Sequence, residues 1–372
     1  ESGLQDYETS LGLFETVIAQ DTKQEYAPLS YFGKAEALYH LDRFADAIVA
    51  YRTSLDKLRI FLGGQNEARE LRDKIYYGLA WAYLKTGDYR SAQESFQKVV
   101  SQSTDKIIKL SALCQLGDAY QDAGDYKNAL ETYQKFLQDY PDSLYADYIQ
   151  YQMGLTWLKM DNAESGIVAL RRLLKEHPQS QLQDDANYFL GVTYFQKGDF
   201  AAASEQLGLF VKDFTDSTYR PQALFLLGES LVNLGQFKEA LSVFGIILKE
   251  YGEQESWRQK TEYEIAAAYI QSGHEDEGFK RMADFITRYP DAPLTPQIIF
   301  WLGEAYKRRA DFVPARKYFE RLIRHYPDET LGVDAYLENG LTYFEEGAWE
   351  AALRHFEQVE RRGDQTQASR AA

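Results

Sequence analysis

The chain has 372 residues, of which 45% are hydrophobic, 15% aromatic and 26% charged, and its 57 acidic and 41 basic side chains give a net charge of −16. That length exceeds what one compact core fills, the apolar fraction excludes disorder, and the acidic balance argues against nucleic acid and anionic membrane surfaces, which reward a basic face. A single cysteine, Cys114, excludes an internal disulfide or a thiolate metal site, and no run of about 18 apolar residues is present to span a bilayer.

Residues 1–20 read as the second helix of a truncated leading repeat, so the natural protein is expected to continue beyond at least one end. Residues 21–360 then read as one helical hairpin after another, and 361–372 as a polar tail. The period is set by small residues opening each second helix: Ser10, Ala47, Ala92, Ala129, Gly166, Ala203, Ala240, Gly278, Ala315 and Ala352. They recur at intervals of 37, once 38 and once 45. Twelve residues before each, from Ala47 on, lies a second small residue: Ala35, Ala80, Gly117, Gly154, Gly191, Gly228, Ala266, Gly303 and Gly340. Glycine inside a helix costs about 1 kcal/mol relative to alanine, so its recurrence at one phase implies a close crossing of the two helices of a hairpin.

Between these positions fall turn glycines such as Gly87, Gly124 and Gly198, whose left-handed conformation ends a helix. Two residues on comes an aromatic (Phe44, Tyr89, Tyr126, Phe200, Phe237, Phe312, Trp349) placed to re-enter the core. Four residues beyond each small residue of the second helix lies a core column that includes Tyr51, Phe96, Tyr133, Leu170, Phe244 and Phe319. The large apolar slot of the first helix is polar at Gln150, Asn187 and Glu262, which predicts looser packing there.

These columns resemble the tetratricopeptide repeat (TPR), whose usual period is 34 residues. The resemblance implies an all-α, right-handed α-α superhelix of nine hairpins plus a leading helix. The three extra residues fall at junctions such as Tyr140-Pro141-Asp142-Ser143 and Tyr289-Pro290-Asp291-Ala292, where they predict one added turn at the start of the next helix. Such junctions are similar to those of bacterial envelope TPR proteins of the BamD and YbgF (Tol-Pal) type. The 45-residue interval places an insertion within Leu58 to Asp73, either as longer flanking helices or as a projecting loop.

No phosphate loop, zinc motif, calcium loop or nucleophile elbow is present, so no catalytic residue, cofactor or metal is expected and the chain reads as a non-enzyme. A glycan-acting solenoid enzyme would need a closed cleft that interrupts the repeats, and the sequence shows no interruption. Three residues before the first-helix small position stand Phe32, Tyr77, Tyr151, Tyr188, Phe225, Tyr263 and Phe300. In the resembling family this phase faces the concave groove, so the rings read either as a contact surface for a partner or as packing between hairpins. One residue after that position, Asp118, Glu229 and Glu304 make the same face acidic. The partner implied is a protein or peptide, basic or amphipathic. The function implied is an interaction scaffold or adaptor in the bacterial periplasm, outer-membrane associated, with a cytoplasmic TPR regulator as the alternative.

Overall fold

The computed structural model describes residues 2–22, 24–58, 64–326 and 330–362, and among them holds nineteen α-helices and no strand. α1 (Ser2–Gln20) leads. Hairpins follow as α2 and α3 (Ala27–His40, Phe44–Lys57), α4 and α5 (Gln65–Lys85, Tyr89–Gln102), α6 and α7 (Lys106–Asp122, Tyr126–Asp139), and α8 and α9 (Ala146–Lys159, Ala163–Glu176). Next come α10 and α11 (Gln183–Gln196, Phe200–Asp213), α12 and α13 (Arg220–Asn233, Phe237–Tyr251), and α14 and α15 (Glu255–Gln271, Glu275–Arg288). The last are α16 and α17 (Thr295–Arg308, Phe312–His325) and α18 and α19 (Thr330–Glu345, Trp349–Arg362).

The chain divides into two compact units between Thr193 and Tyr194, inside α10. Neighbouring helices pack in chain order from α1 to α9 in the first unit and from α11 to α19 in the second. First helices of successive hairpins also touch: α2 with α4, α4 with α6 and α6 with α8 in the first unit, α12 with α14 and α16 with α18 in the second. The first-helix face is thus the inner face of each stack.

The core follows the columns. Ala47, Ala92, Ala129, Ala203, Ala240 and Ala315 are fully buried, as are Phe96, Tyr133, Leu170, Phe244 and Phe319. What the first-helix glycines accommodate is a ring. A Cβ on Gly117 would lie 2.2 Å from the Tyr133 ring, on Gly228 2.3 Å from Phe244 and on Gly303 2.5 Å from Phe319, so each aromatic of the core column lies flat against the glycine of its own hairpin. Six turn glycines, Gly87 to Gly347, take φ between 71° and 82°, and where glycine is missing Asp42, Asp161 and Ala310 adopt the same left-handed backbone.

Four expectations are settled or corrected. The junction residues form no added helical turn: Pro141 to Tyr145 make a tight bend in which the Ser143 N–H donates to Tyr140 O (3.1 Å) and the Ala146 N–H to Ser143 O (3.0 Å), and α8 begins at Ala146. Proline has no N–H to offer a helical ladder, and the serine hydroxyl accepts from the Tyr145 N–H instead (3.3 Å). The insertion goes into α4, whose 21 residues start well ahead of its small residue Ala80; residues 59–63 of that segment lie outside those described, as do 327–329 and 363–372. Gln150 is not loosely packed, being 3% exposed with its amide donating to Ala169 O at 3.1 Å. The aromatics after the turns stay at the hairpin tips rather than in the core, Trp349 being 61% exposed. They stack edge-on against the end of the preceding helix, as in Tyr39–Phe44 and Phe195–Phe200.

Candidate partner-binding faces

On the inner face of the first unit, residues of α2 and α4 line a cavity of about 450 Å³. Phe32, Glu36 and Tyr39 line it from α2 and Lys74, Tyr77 and Trp81 from α4, with Ile108 of α6 at the edge. Gly78 makes room for the Tyr51 ring, which a Cβ there would meet at 2.5 Å. Tyr51 donates its hydroxyl to Glu36 and packs beside Phe32 (ring centroids 6.1 Å apart), fixing the floor. Tyr77 is held by Phe96 behind it (5.7 Å) and by a 2.8 Å hydrogen bond between its hydroxyl and Ser111 of the next first helix.

The second unit repeats the arrangement between α14 and α16. A cavity of about 430 Å³ is lined by Tyr263, Ala267 and Ile270, by Met282 from α15, and by Leu294, Ile298 and Trp301. Trp301 stands edge-on to Phe279 (5.4 Å), and the Arg309 guanidinium covers that phenyl ring at 4.4 Å. The walls are therefore braced by packing from behind.

Of the other rings in the column, Phe225 is half-buried beside Phe244 (6.2 Å) and Trp257 (5.9 Å), and Phe300 beside Phe319 (5.9 Å). Tyr188 is half-buried against Phe189 (5.4 Å), whereas Tyr151 is buried, 8% exposed, with Phe189 6.4 Å away. Most rings of the column are therefore half-buried, packed on one side against neighbouring aromatics and partly exposed on the other.

The acidic residues differ from one another. Asp118 spends both oxygens internally, accepting from Tyr133 (2.6 Å) and Tyr148 (2.8 Å), which leaves little of it to face a partner. Burial pushes its carboxyl above the ordinary range, and the two tyrosine hydroxyls partly offset that. Glu304 is half-buried on α16. Glu229 on α12 is half-buried, and burial raises its carboxyl too. Next to it on α14 stands Glu264, pushed up to about 7, first by burial and then by the charge of Glu229. Glu264 and Trp301 belong to a phase missed from sequence, two residues before the first-helix small position. Counting from one small residue places the position, but only the contact of one first helix with the next shows that it faces the preceding hairpin.

Models of the tetratricopeptide repeat match residues 2–58, 73–105, 111–143, 148–180, 222–253 and 297–329, more than half of the chain. The chain is a tetratricopeptide-repeat protein. Among solved structures, the C-terminal part of a TPR repeat-containing protein from Cytophaga hutchinsonii has the same fold, with 14% identity and a TM-score of 0.54 over 70% of this chain and 98% of that one. A TPR protein from Parabacteroides merdae matches with 15% identity and a TM-score of 0.43 over 81% and 98% of the two chains. YrrB, described as a TPR protein with an unusual peptide-binding site, matches with 19% identity and a TM-score of 0.40 over 56% and 96%. No curated protein matches the TPR chain. Among its described residues no helix is long and apolar enough to cross a membrane, and no group of three His, Cys, Asp or Glu side chains is placed to hold a metal ion.

Proposed function

We propose that this TPR protein is a non-catalytic scaffold that holds partner proteins by short segments laid on the inner, first-helix faces of its two units. The observation that carries the reading is the position of the two cavities. Both lie between successive first helices and both are walled by rings of the one aromatic column, Phe32 and Tyr77 in the first unit and Tyr263 in the second. Rigid, half-exposed rings braced from behind give large contact area at low entropy cost, which is what binding anchors need. Phe225, Phe300 and Tyr188 extend the same surface, with Glu229 and Glu304 beside it. Asp118 and Tyr151 serve the scaffold itself.

The setting that fits best is a bacterial envelope, where proteins of the BamD and YbgF type use 37-residue TPR hairpins with tyrosine-proline-aspartate junctions to hold other proteins in place. Fractionating cells that express the full-length gene tests the setting, and recovery from the cytoplasm would favour the regulator alternative. The binding reading is tested by a pull-down with chemical crosslinking, repeated with Tyr77→Ala and Tyr263→Ala. Each change should weaken capture of its partner by about 1 kcal/mol or more while leaving the melting temperature within a few degrees. Capture unaffected by both would remove the inner faces from consideration.

A further inference from the structure

The phase two residues before the small position faces, across the inner surface, two positions on the preceding first helix: one and four residues after its own small residue. At α6 and α8 these are Gln152 opposite Asp118 and Gln121. Gln121 donates to Thr156 (2.7 Å) and more weakly to Gln152 (3.3 Å), Lys159 donates to Gln121 (2.7 Å), and tyrosines satisfy Asp118. At α16 and α18 they are Glu338 opposite Glu304 and Lys307, and the Lys307 ammonium pairs with Glu338 at 2.8 Å. At α12 and α14 they are Glu264 opposite Glu229 and Val232. Where α16 offers Lys307 to the carboxylate of the next first helix and α6 offers the amide of Gln121 to Thr156 and Gln152, α12 has a valine.

No hydrogen bond or ion pair reaches either carboxylate among the described residues. Asn233 donates to the backbone carbonyl of Glu229 (2.8 Å), and Lys260, one turn before Glu264, lies over the Trp257 ring, 5.5 Å from its centroid. Two half-dry carboxylates facing each other without a cation raise each other's energy, and a cation supplied from outside relieves both. On the opposite flank of α14, beginning at the adjacent Tyr263, lies the apolar cavity closed by Trp301.

We propose that the inner face of the second unit selects a partner segment that carries a Lys or Arg side chain for Glu229 and Glu264 and a large apolar side chain for the cavity beneath Tyr263 and Trp301. This rests on the reading of the inner faces as binding surfaces. An α-helix with its side chains is about 10 Å across, so the two groups, on opposite flanks of α14, are separated by about three residues of an extended segment or two turns of a helical one.

The test uses the full chain and fluorescein-labelled twelve-residue peptides in three forms. One holds Arg and Trp three residues apart, one has Gln in place of the Arg, and one has Ser in place of the Trp. Anisotropy is read with the parent chain, with Glu229→Gln/Glu264→Gln, and with the charge-matched control Glu239→Gln/Glu253→Gln, whose sites are exposed and off this face. The Arg peptide should bind at least about tenfold more tightly than the Gln peptide to the parent and to the control, and equally to the Glu229/Glu264 variant. Retention of the preference in that variant, or equal loss in the control, overturns the proposal. If the Gln and Arg peptides bind equally but both are lost with Trp301→Ala, the face binds and only the charge selection fails. If Trp301→Ala changes none of the three, the reading of the face itself fails. Circular dichroism checks that each variant remains helical.

Discussion

Single side chains decide local stability here through two mechanisms, occupied space and backbone handedness. A Cβ on Gly228 would sit 2.3 Å from the Phe244 ring, which is itself fully buried, so Gly228→Leu forces ring and helix apart. A loss of roughly 1–3 kcal/mol or more is expected, read as a lower urea midpoint, and parent-like stability would mean that the ring can move aside. Ala310 holds φ at 56° at an exposed turn where six other hairpins have glycine. Ala310→Gly should therefore stabilise the chain by about 0.5–1 kcal/mol in the same measurement. Glu264 gives the pH dependence. An unfolded glutamate releases its proton near 4.5 and the folded one near 7, so between those values the native state binds more protons than the unfolded state. Stability then falls as pH rises from about 4.5 through 7 and levels off above. Glu264→Gln should remove this slope and raise stability at pH 8 by on the order of 1 kcal/mol, allowing for the screening of a partly exposed site.

At the scale of the helix, the repeat period and the choice of buried columns were legible because they follow from counting: a small residue and a ring must recur at fixed offsets if each hairpin is to close on itself. The junctions were not, because Pro141 and Ser143 are compatible both with a capped helix start and with the bend that forms, and only the hydrogen bonds of residues 143–146 separate the two. The 45-residue interval resolved into α4 because Gln65 to Leu71 have helix-compatible composition and Leu71 becomes core, 5% exposed. The candidate site was half legible. Phe32, Tyr77 and Tyr263 stand where the aromatic column places them, whereas Glu264, Trp301 and Gly78 share a phase whose meaning needs the neighbouring hairpin. Asp118 shows the cost of reading charge as surface: Tyr133 and Tyr148, 15 and 30 residues away, take it inside. Asp118→Ala should leave the Tyr133 hydroxyl unpaired and the Tyr148 hydroxyl with only the Gln152 amide as partner, destabilising the first unit by about 1–3 kcal/mol in thermal melts, with no change at the second-unit cavity.

For the whole molecule, packing in chain order means that each hairpin is stabilised mainly by its neighbours, as in other repeat proteins. The Gly228 defect should therefore speed hydrogen exchange in α12 to α14 first and leave α2 to α7 at parental rates; uniform acceleration across all helices would show tighter coupling. A net charge of −16 attracts basic molecules at long range, and in the proposed reading the two inner faces supply the short-range contacts. The central claim, that partners meet the first-helix faces, is tested most directly by site-specific photocrosslinking in the source cells. A benzophenone side chain replaces Lys74 or Gln297, at the rims of the two cavities, or the exposed Glu131 or Glu320 on second helices. Discrete crosslinked bands from positions 74 and 297 and none from 131 and 320 is the expected result. The reverse pattern would place the interaction on the outer, second-helix face and contradict the assignment.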